Sequence, residues 1–247
     1  MLELVESIKD KLGYHLPMIV VDDAGIEYEE GVLTELGNVP RLTYVVGKDT
    51  NVGISEGRTM GVKMVKTKYT GLFDDDALFD NNTDISSLIE LLDTTDAALA
   101  GGKKTTTGVG NFEGNFQYDI DSCRLHQDWN RSSVVVKFQL GKCTKNPEPV
   151  VGFPKCLRCD VTHNFFLAKT ADILEVGGWS AELKTKEHKD IFLRLRAQGK
   201  KVAVCPEFKV THNPKRFEYL KNDITYKAKR RNRGRRMREL FFWRWGF

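Results

Sequence analysis

Three consecutive aspartates, Asp74, Asp75 and Asp76, follow directly on the apolar run Tyr69 to Phe73. In an extended chain alternate side chains share a face, so Asp74 and Asp76 can converge on one point. Converging carboxylate oxygens suit hard cations such as Mn2+ or Mg2+, and a cation held there can neutralise a leaving diphosphate. Aspartates after a strand also make turns, helix caps and solvated loops, so the triplet gains its meaning from what accompanies it. Several polar groups do accompany it, in order along the chain: Asp22-Asp23, Asn51 with Gly53, Gly57-Arg58, His163-Asn164, Glu187 with Asp190, and His212. A carboxylate among them could also take a proton from an attacking hydroxyl.

The elements that would hold these groups follow from periodicity. Met18 to Val21 is an apolar run ending in Asp22-Asp23, the form of a buried strand that delivers carboxylates at its carboxyl end. Leu42 to Val46 reads as a second strand. The loop after it leads to Ser55 as helix N-cap, with a helix to about Lys66 that turns Val62 and Val65 inward. Glycines at 53 and 57 would let the backbone approach a ligand at that helix start. Tyr69 to Phe73 is a strand, Thr83 opens a helix, and Ala97 to Ala100 returns as a strand. Gly101 to Pro154 reads as irregular sheet with long loops. Beyond it come a helix from Thr170 to Val176, the turn Gly177-Gly178-Trp179, a helix from Lys186 to Gln198 and a strand from Lys201 to Cys205. In that second helix Glu187 lies one turn before Asp190 and can share its face, and Asp190 could pair with Arg194 one turn on.

Composition narrows the class. The 247 residues are 40% hydrophobic and 29% charged, which fits one α/β domain or one domain with a short appendage. No stretch approaches the roughly 20 apolar residues of a spanning helix. Net charge is +4, but eight basic residues and no acid lie between Lys227 and Arg238, so the rest of the chain carries −4. The expected division is a domain over 1–216 and a basic, aromatic segment over 217–247. Cysteines number five, so at least one thiol is unpaired within the chain; Cys156 and Cys159 form a lone CxxC that could be zinc-binding, disulfide-bonded or simply buried.

Six ordered blocks carry a resemblance. They are Val20-Val21-Asp22-Asp23; Gly53 through Gly57-Arg58; Thr67-Lys68-Tyr69 running into Phe73-Asp74-Asp75-Asp76 and Phe79; Asn164-Phe165-Phe166-Leu167-Ala168 with Thr170; Val176-Gly177-Gly178-Trp179; and His188, Asp190 and Phe192, with the late His212 after them. From about Pro17 to His212 the chain resembles the inverting glycosyltransferases of the GT-A fold, and among them the ganglioside-type β1,4-N-acetylgalactosaminyltransferases. The resemblance implies an α/β, Rossmann-like nucleotide-sugar-binding fold with a mixed central sheet, and metal-assisted transfer of a hexose or N-acetylhexosamine from a UDP-sugar to a glycan hydroxyl. It implies donor contacts at Asp22, Asp23, Asn51, Gly53, Arg58, Asp74 and Asp75. Mn2+ or Mg2+ would be held by Asp76 with Asp74 and His212. Asp190 would be the general base, with Glu187 as second choice. His163, Asn164 and Trp179 would face the acceptor, Trp179 either by stacking on a sugar or as plain core. This chain departs from the pattern at Asp190 and Ile191, where the family tends to carry Glu and Phe.

The resemblance also implies a Golgi lumenal setting if the sequence belongs to an anchored parent, and a soluble cytoplasmic one otherwise. The basic run could meet an anionic membrane surface, with Phe241, Phe242, Trp243 and Trp245 entering the interface. It has no interleaved aromatics for stacking on bases, which argues against nucleic acid. The rival readings are an inactive GT-A relative and a binding module that uses the basic run.

Overall fold

The computed structural model describes residues 2–13, 15–22, 30–47, 53–105, 115–118, 124–128, 131–135, 138–141, 148–184, 187–212 and 224–245. In chain order these form α1 (Leu2–Leu12), β1 (Met18–Asp22), α2 (Glu30–Gly37), β2 (Leu42–Val46), α3 (Ile54–Met64), β3 (Tyr69–Phe73), β4 (Ala77–Leu78), α4 (Ile85–Thr94) and β5 (Ala97–Thr105). Short strands follow: β6 (Asn115–Tyr118), β7 (Arg124–Asp128), β8 (Arg131–Val135), β9 (Phe138–Gly141) and β10 (Pro149–Val150). The chain continues through β11 (Phe153–Cys159), β12 (Phe165–Lys169), α5 (Thr170–Glu175), α6 (Glu187–Ala197), β13 (Lys201–His212) and α7 (Ile224–Trp245).

The central sheet has seven strands and is mixed. Its order is β10-β11-β13-β5-β12-β3, with β4 joined to the far end of β13. β13 and β5 run parallel, and β12 runs antiparallel to both β5 and β3. β1 and β2 make a separate parallel pair in which Asp22 stands opposite Val46. The pairs β6-β9 and β7-β8 are antiparallel.

Alternation along β12 builds the two halves of the core, because successive strand residues point to opposite faces. Phe165 and Leu167 pack with Leu88, Leu91 and Leu92 of α4 and with Phe208. Phe166 and Ala168 pack on the other side with Ile173, Trp179, Ile191, Phe192 and Phe241. The second group joins α3, α5, α6 and the end of α7 on one face. The aromatic end of the C-terminal segment therefore belongs to the domain's own core.

Two helix starts differ from expectation. The N-cap of α3 is Gly53, at φ 93°, while Ser55 is buried inside the first turn. The N-cap of α4 is Asp84, whose side chain accepts from the backbone N–H groups of Ser86 and Ser87; Thr83 instead donates from Oγ1 to the Lys209 carbonyl at 2.7 Å. A carboxylate reaches two orphaned helix amides at once, which favours Asp84 over its neighbour. Val62 is buried as expected, whereas Val65 ends α3 as its C-cap in extended conformation.

Cys156 and Cys205 form a disulfide between β11 and β13, and Cys159 is also disulfide-bonded. The CxxC pair is thus neither a zinc site nor a bridge between its own two cysteines. Among the described residues no helix is long and apolar enough to cross a membrane.

Candidate active site

Three strand ends and two helix starts bring the polar groups together. β3 ends at Phe73, so Asp74 leaves the sheet as a short turn begins, with Ala77 N–H donating to the Asp74 carbonyl at 3.0 Å. That turn leads into β4, which pairs with β13 so that His212 stands opposite Ala77. This register sets His212 beside Asp76, and His212 Nε2 lies 2.8 Å from Asp76 Oδ2. Both side chains are mostly buried, at 16% and 10% exposed.

The triplet is divided among three environments. Asp74 Oδ1 accepts from Arg58 Nη2 at 3.1 Å, Asp76 faces His212, and Asp75 points to solvent. Arg58, in the second turn of α3, also donates from Nη1 to Glu187 Oε1 at 2.7 Å. One guanidinium so bridges carboxylates on segments 16 and 129 residues away, which its rigid planar fork allows and a lysine would not. Gly53 serves the same helix start. Its φ of 93° and the 3.1 Å a Cβ would leave to Lys184 Cβ both require glycine.

Asp22 is buried and its Oδ2 accepts from Tyr44 Oη at 2.8 Å, so β2 holds the carboxylate that ends β1. Asp23 and Asn51 lie outside the described residues. Asn164 Oδ1 is buried with no hydrogen-bond partner among the described residues.

His188 is the site residue that the reading of separate motifs passed over. It follows Glu187 on α6 and its ring meets Phe192 edge-on at 5.2 Å. Burial pushes its imidazole down to about 3, with the Arg58 charge and His163 acting in the same direction and Asp74 and the Thr162 backbone opposing them. His163, Arg58 and Asp74 thus all lie near the His188 ring. The signal in the sequence was adjacency to Glu187, which put His188 in the first turn of the same helix.

Trp179 and Asp190, two of the expected site residues, are buried. Trp179 is 3% exposed and packs in the core among Val62, Ile173 and Leu183, so its ring offers no face to a sugar. Asp190 is completely buried, and Arg194 and Trp245 each donate to one of its oxygens. Glu187, also buried, is the carboxylate of α6 that reaches Arg58.

The metal expectation fits in part. Two ligands on adjacent corners of an octahedral cation, about 2.1 Å from it, stand about 3 Å apart, close to the spacing of Asp76 and His212. One carboxylate and one imidazole suit Mn2+. Among the described residues no third His, Cys, Asp or Glu completes a three-ligand set, and Asp74 is turned to Arg58. Further ligands would come from substrate oxygens and water.

Mouse β-1,4 N-acetylgalactosaminyltransferase 2 is 28% identical over 190 residues, covering 77% of this chain and 32% of that protein. Human β-1,4 N-acetylgalactosaminyltransferase 1 is 29% identical over 163 residues, covering 64% and 28%. The chain thus spans about a third of the length of the curated relatives it matches. A crystal structure of GalNAc-T7 with UDP, GalNAc and Mn2+ superposes with a TM-score of 0.57 at 13% identity, covering 85% of this chain and 40% of that one. S. aureus TarS in complex with UDP-GlcNAc superposes at 0.60 and 13% identity, covering 91% and 57%. Both likenesses establish the GT-A fold. Residues 1–156 match the glycosyl transferase family 2 domain, and the chain belongs to that family.

Proposed function

We propose that this chain transfers a hexose or N-acetylhexosamine from a UDP-sugar to a hydroxyl of a glycan acceptor, with inversion. The observation that carries the reading is the Asp76–His212 pair beside the Asp74–Arg58–Glu187 chain, with two groups able to ligate a metal and a guanidinium at one end of the sheet. GalNAc-T7 with UDP and Mn2+ and TarS with UDP-GlcNAc share the fold and supply the analogy for the donor. Asp76 and His212 would hold Mn2+ or Mg2+, which when bound neutralises the leaving diphosphate.

The protein's own groups divide the remaining work. Asp22, with Asp23 and Asn51 from the adjoining loops, belongs to the nucleoside, and Gly53 leaves room for the donor at the start of α3. Arg58 holds the diphosphate electrostatically, and in doing so it leaves Glu187, to which it is bonded in this structure. Glu187 then accepts the acceptor's proton as the acceptor oxygen bonds to the anomeric carbon and the bond from that carbon to the diphosphate breaks. His163 and Asn164 lie on the acceptor side.

The disulfides support folding in an oxidising compartment, as in a secretory lumen. The outward face of α7, with Arg235, Arg236 and Arg238 exposed beside Trp243, is the surface that contact with an anionic membrane would use.

The test is a panel of UDP-GalNAc, UDP-GlcNAc, UDP-Gal and UDP-Glc with Mn2+ and glycan acceptors, scored by UDP release. Turnover with at least one donor is expected, and loss of about 100-fold or more in Asp76→Ala, the scale at which catalytic electrostatics act. Turnover unchanged in Asp76→Ala sinks the assignment.

A further inference from the structure

Behind the site the polar groups form one continuous chain that begins on α7. Asp190 has no exposed surface, and a carboxylate is tolerated there only when donors surround it. The donors come from two helices. Arg194 Nε donates to Asp190 Oδ2 at 2.8 Å, Trp245 Nε1 donates to Oδ1 at 3.1 Å, and Arg244 Nη1 stands 3.6 Å from Oδ1. Arg244 is itself tied down by Ser180 and Glu182.

Arg194 passes the connection on. Its Nη1 donates to the Val176 carbonyl and its Nη2 to the Gly178 carbonyl at 2.6 Å. The turn they hold has Gly177 at φ 81° and Gly178 at φ 70°, and a Cβ on Gly178 would stand 2.9 Å from Thr59 Oγ1. That hydroxyl accepts from the Trp179 backbone N–H at 2.8 Å and donates to the Trp179 carbonyl at 2.8 Å. Thr59 follows Arg58 on α3, and Arg58 returns the chain to α6 at Glu187. The circuit closes on the groups that would meet the donor.

We propose that the C-terminal end of α7 is part of the catalytic framework: Trp245 and Arg244 are positioning residues that fix Asp190 and, through Arg194 and the 176–179 turn, set the turns of α3 and α6 that carry Arg58 and Glu187. This rests on the glycosyltransferase reading above. Asp190 acts through its neighbours and exchanges no proton with the acceptor. The buried ring of Trp179 has the same explanation, since its place is in the turn that the circuit clamps.

Trp245→Phe keeps an aromatic ring at the core edge and removes the N–H together with part of the indole's bulk. In the full chain it should lower kcat about tenfold, as small misplacements of catalytic groups do, and leave the pH of half-maximal rate where it was. Asp190→Asn should lower kcat by a similar factor, and the double variant no further than the worse single, because the two residues share one interaction. Hydrogen exchange gives a readout independent of turnover: the Trp179 amide, bonded to Thr59 and remote in sequence from residue 245, should exchange faster in Trp245→Phe.

Wild-type kcat and wild-type exchange at Trp179 in Trp245→Phe would overturn the proposal. So would an Asp190→Asn variant that loses turnover and its pH limb while Trp245→Phe leaves both intact, since that is the behaviour of a base. If Asp190→Asn does not fold, Arg194→Lys replaces it in the cycle with the same expectation. A wild-type protein that turns over no UDP-sugar counts against the glycosyltransferase reading, and exchange at Trp179 still decides the circuit.

Discussion

His188 shows how strongly a site residue depends on its surroundings. The imidazole is buried beside the Arg58 guanidinium, with His163 and Asp74 also facing it, and is pushed down to about 3 from an ordinary 6.5. The unfolded chain therefore binds a proton at this residue between those values and the folded chain does not. The contribution to stability is fully present above about pH 6.5 and is lost as pH falls toward 3, by at most about 1.4 kcal/mol per pH unit. Urea unfolding of wild type and His188→Gln from pH 7 to pH 4 measures this. The variant should lose less stability over that interval, and parallel curves would refute the assignment. The same neutrality suits a ring that must sit beside Arg58 without repelling it.

At the scale of elements, β13 joins the parts of the site. Twelve residues long, it pairs with β11 in its first half, with β5 in both halves, and with β4 at its end, which brings His212 to Asp76. The Cys156–Cys205 disulfide ties β11 to β13 across a sequence separation of 49 residues. Replacing both cysteines by alanine should cost about 2–5 kcal/mol, the usual effect of removing a native disulfide from a small domain, seen as a lower urea midpoint at unchanged m-value. A midpoint equal to wild type would show that the strand pairing alone holds this end of the sheet. α6 is the second organising element. One face buries Ile191, Phe192 and Leu195 in the core, while its first turn buries Glu187 against Arg58 and His188 against Phe192.

At the scale of the molecule, ligand binding at the proposed site would be coupled to folding through the end of the sheet that carries it. A ligand that binds only the folded state stabilises it by about 2.7 kcal/mol at 100 times its dissociation constant. Mn2+ and UDP together should therefore raise the melting temperature of the wild-type protein, and a chelator should remove the Mn2+-dependent part. His212→Ala should keep the fold, since His212 is the last residue of β13 and its side chain belongs to neither large core cluster, and should lose that part. An identical Mn2+-dependent shift in His212→Ala would place the cation elsewhere. The C-terminal segment also has to be judged at this scale. By composition it is a basic tail, yet Met237 and Phe241 are buried and Trp245 reaches Asp190.

Local periodicity and turn chemistry carried the α/β alternation, the strands ending in Asp22 and Asp74, the helix bearing Glu187 and Asp190, and the triplet itself. They act over a few residues, and so a single sequence displays them. The pairing of Asp76 with His212 and the bridging of Asp74 and Glu187 by Arg58 join residues 136, 16 and 129 positions apart, and they depend on how β4 registers on β13 and how α3 meets α6. No local pattern records such distances. Burial was equally hidden: Asp190 and Trp179 have residue types suited to chemistry at either a surface or a core, and only the packing of α7 and α3 over them turned one into an anchor and the other into core. The sequence by itself determined which chemical groups the site could draw on, while the tertiary structure decided which of them meet, because contact and solvent exclusion are properties of chain segments brought together from afar.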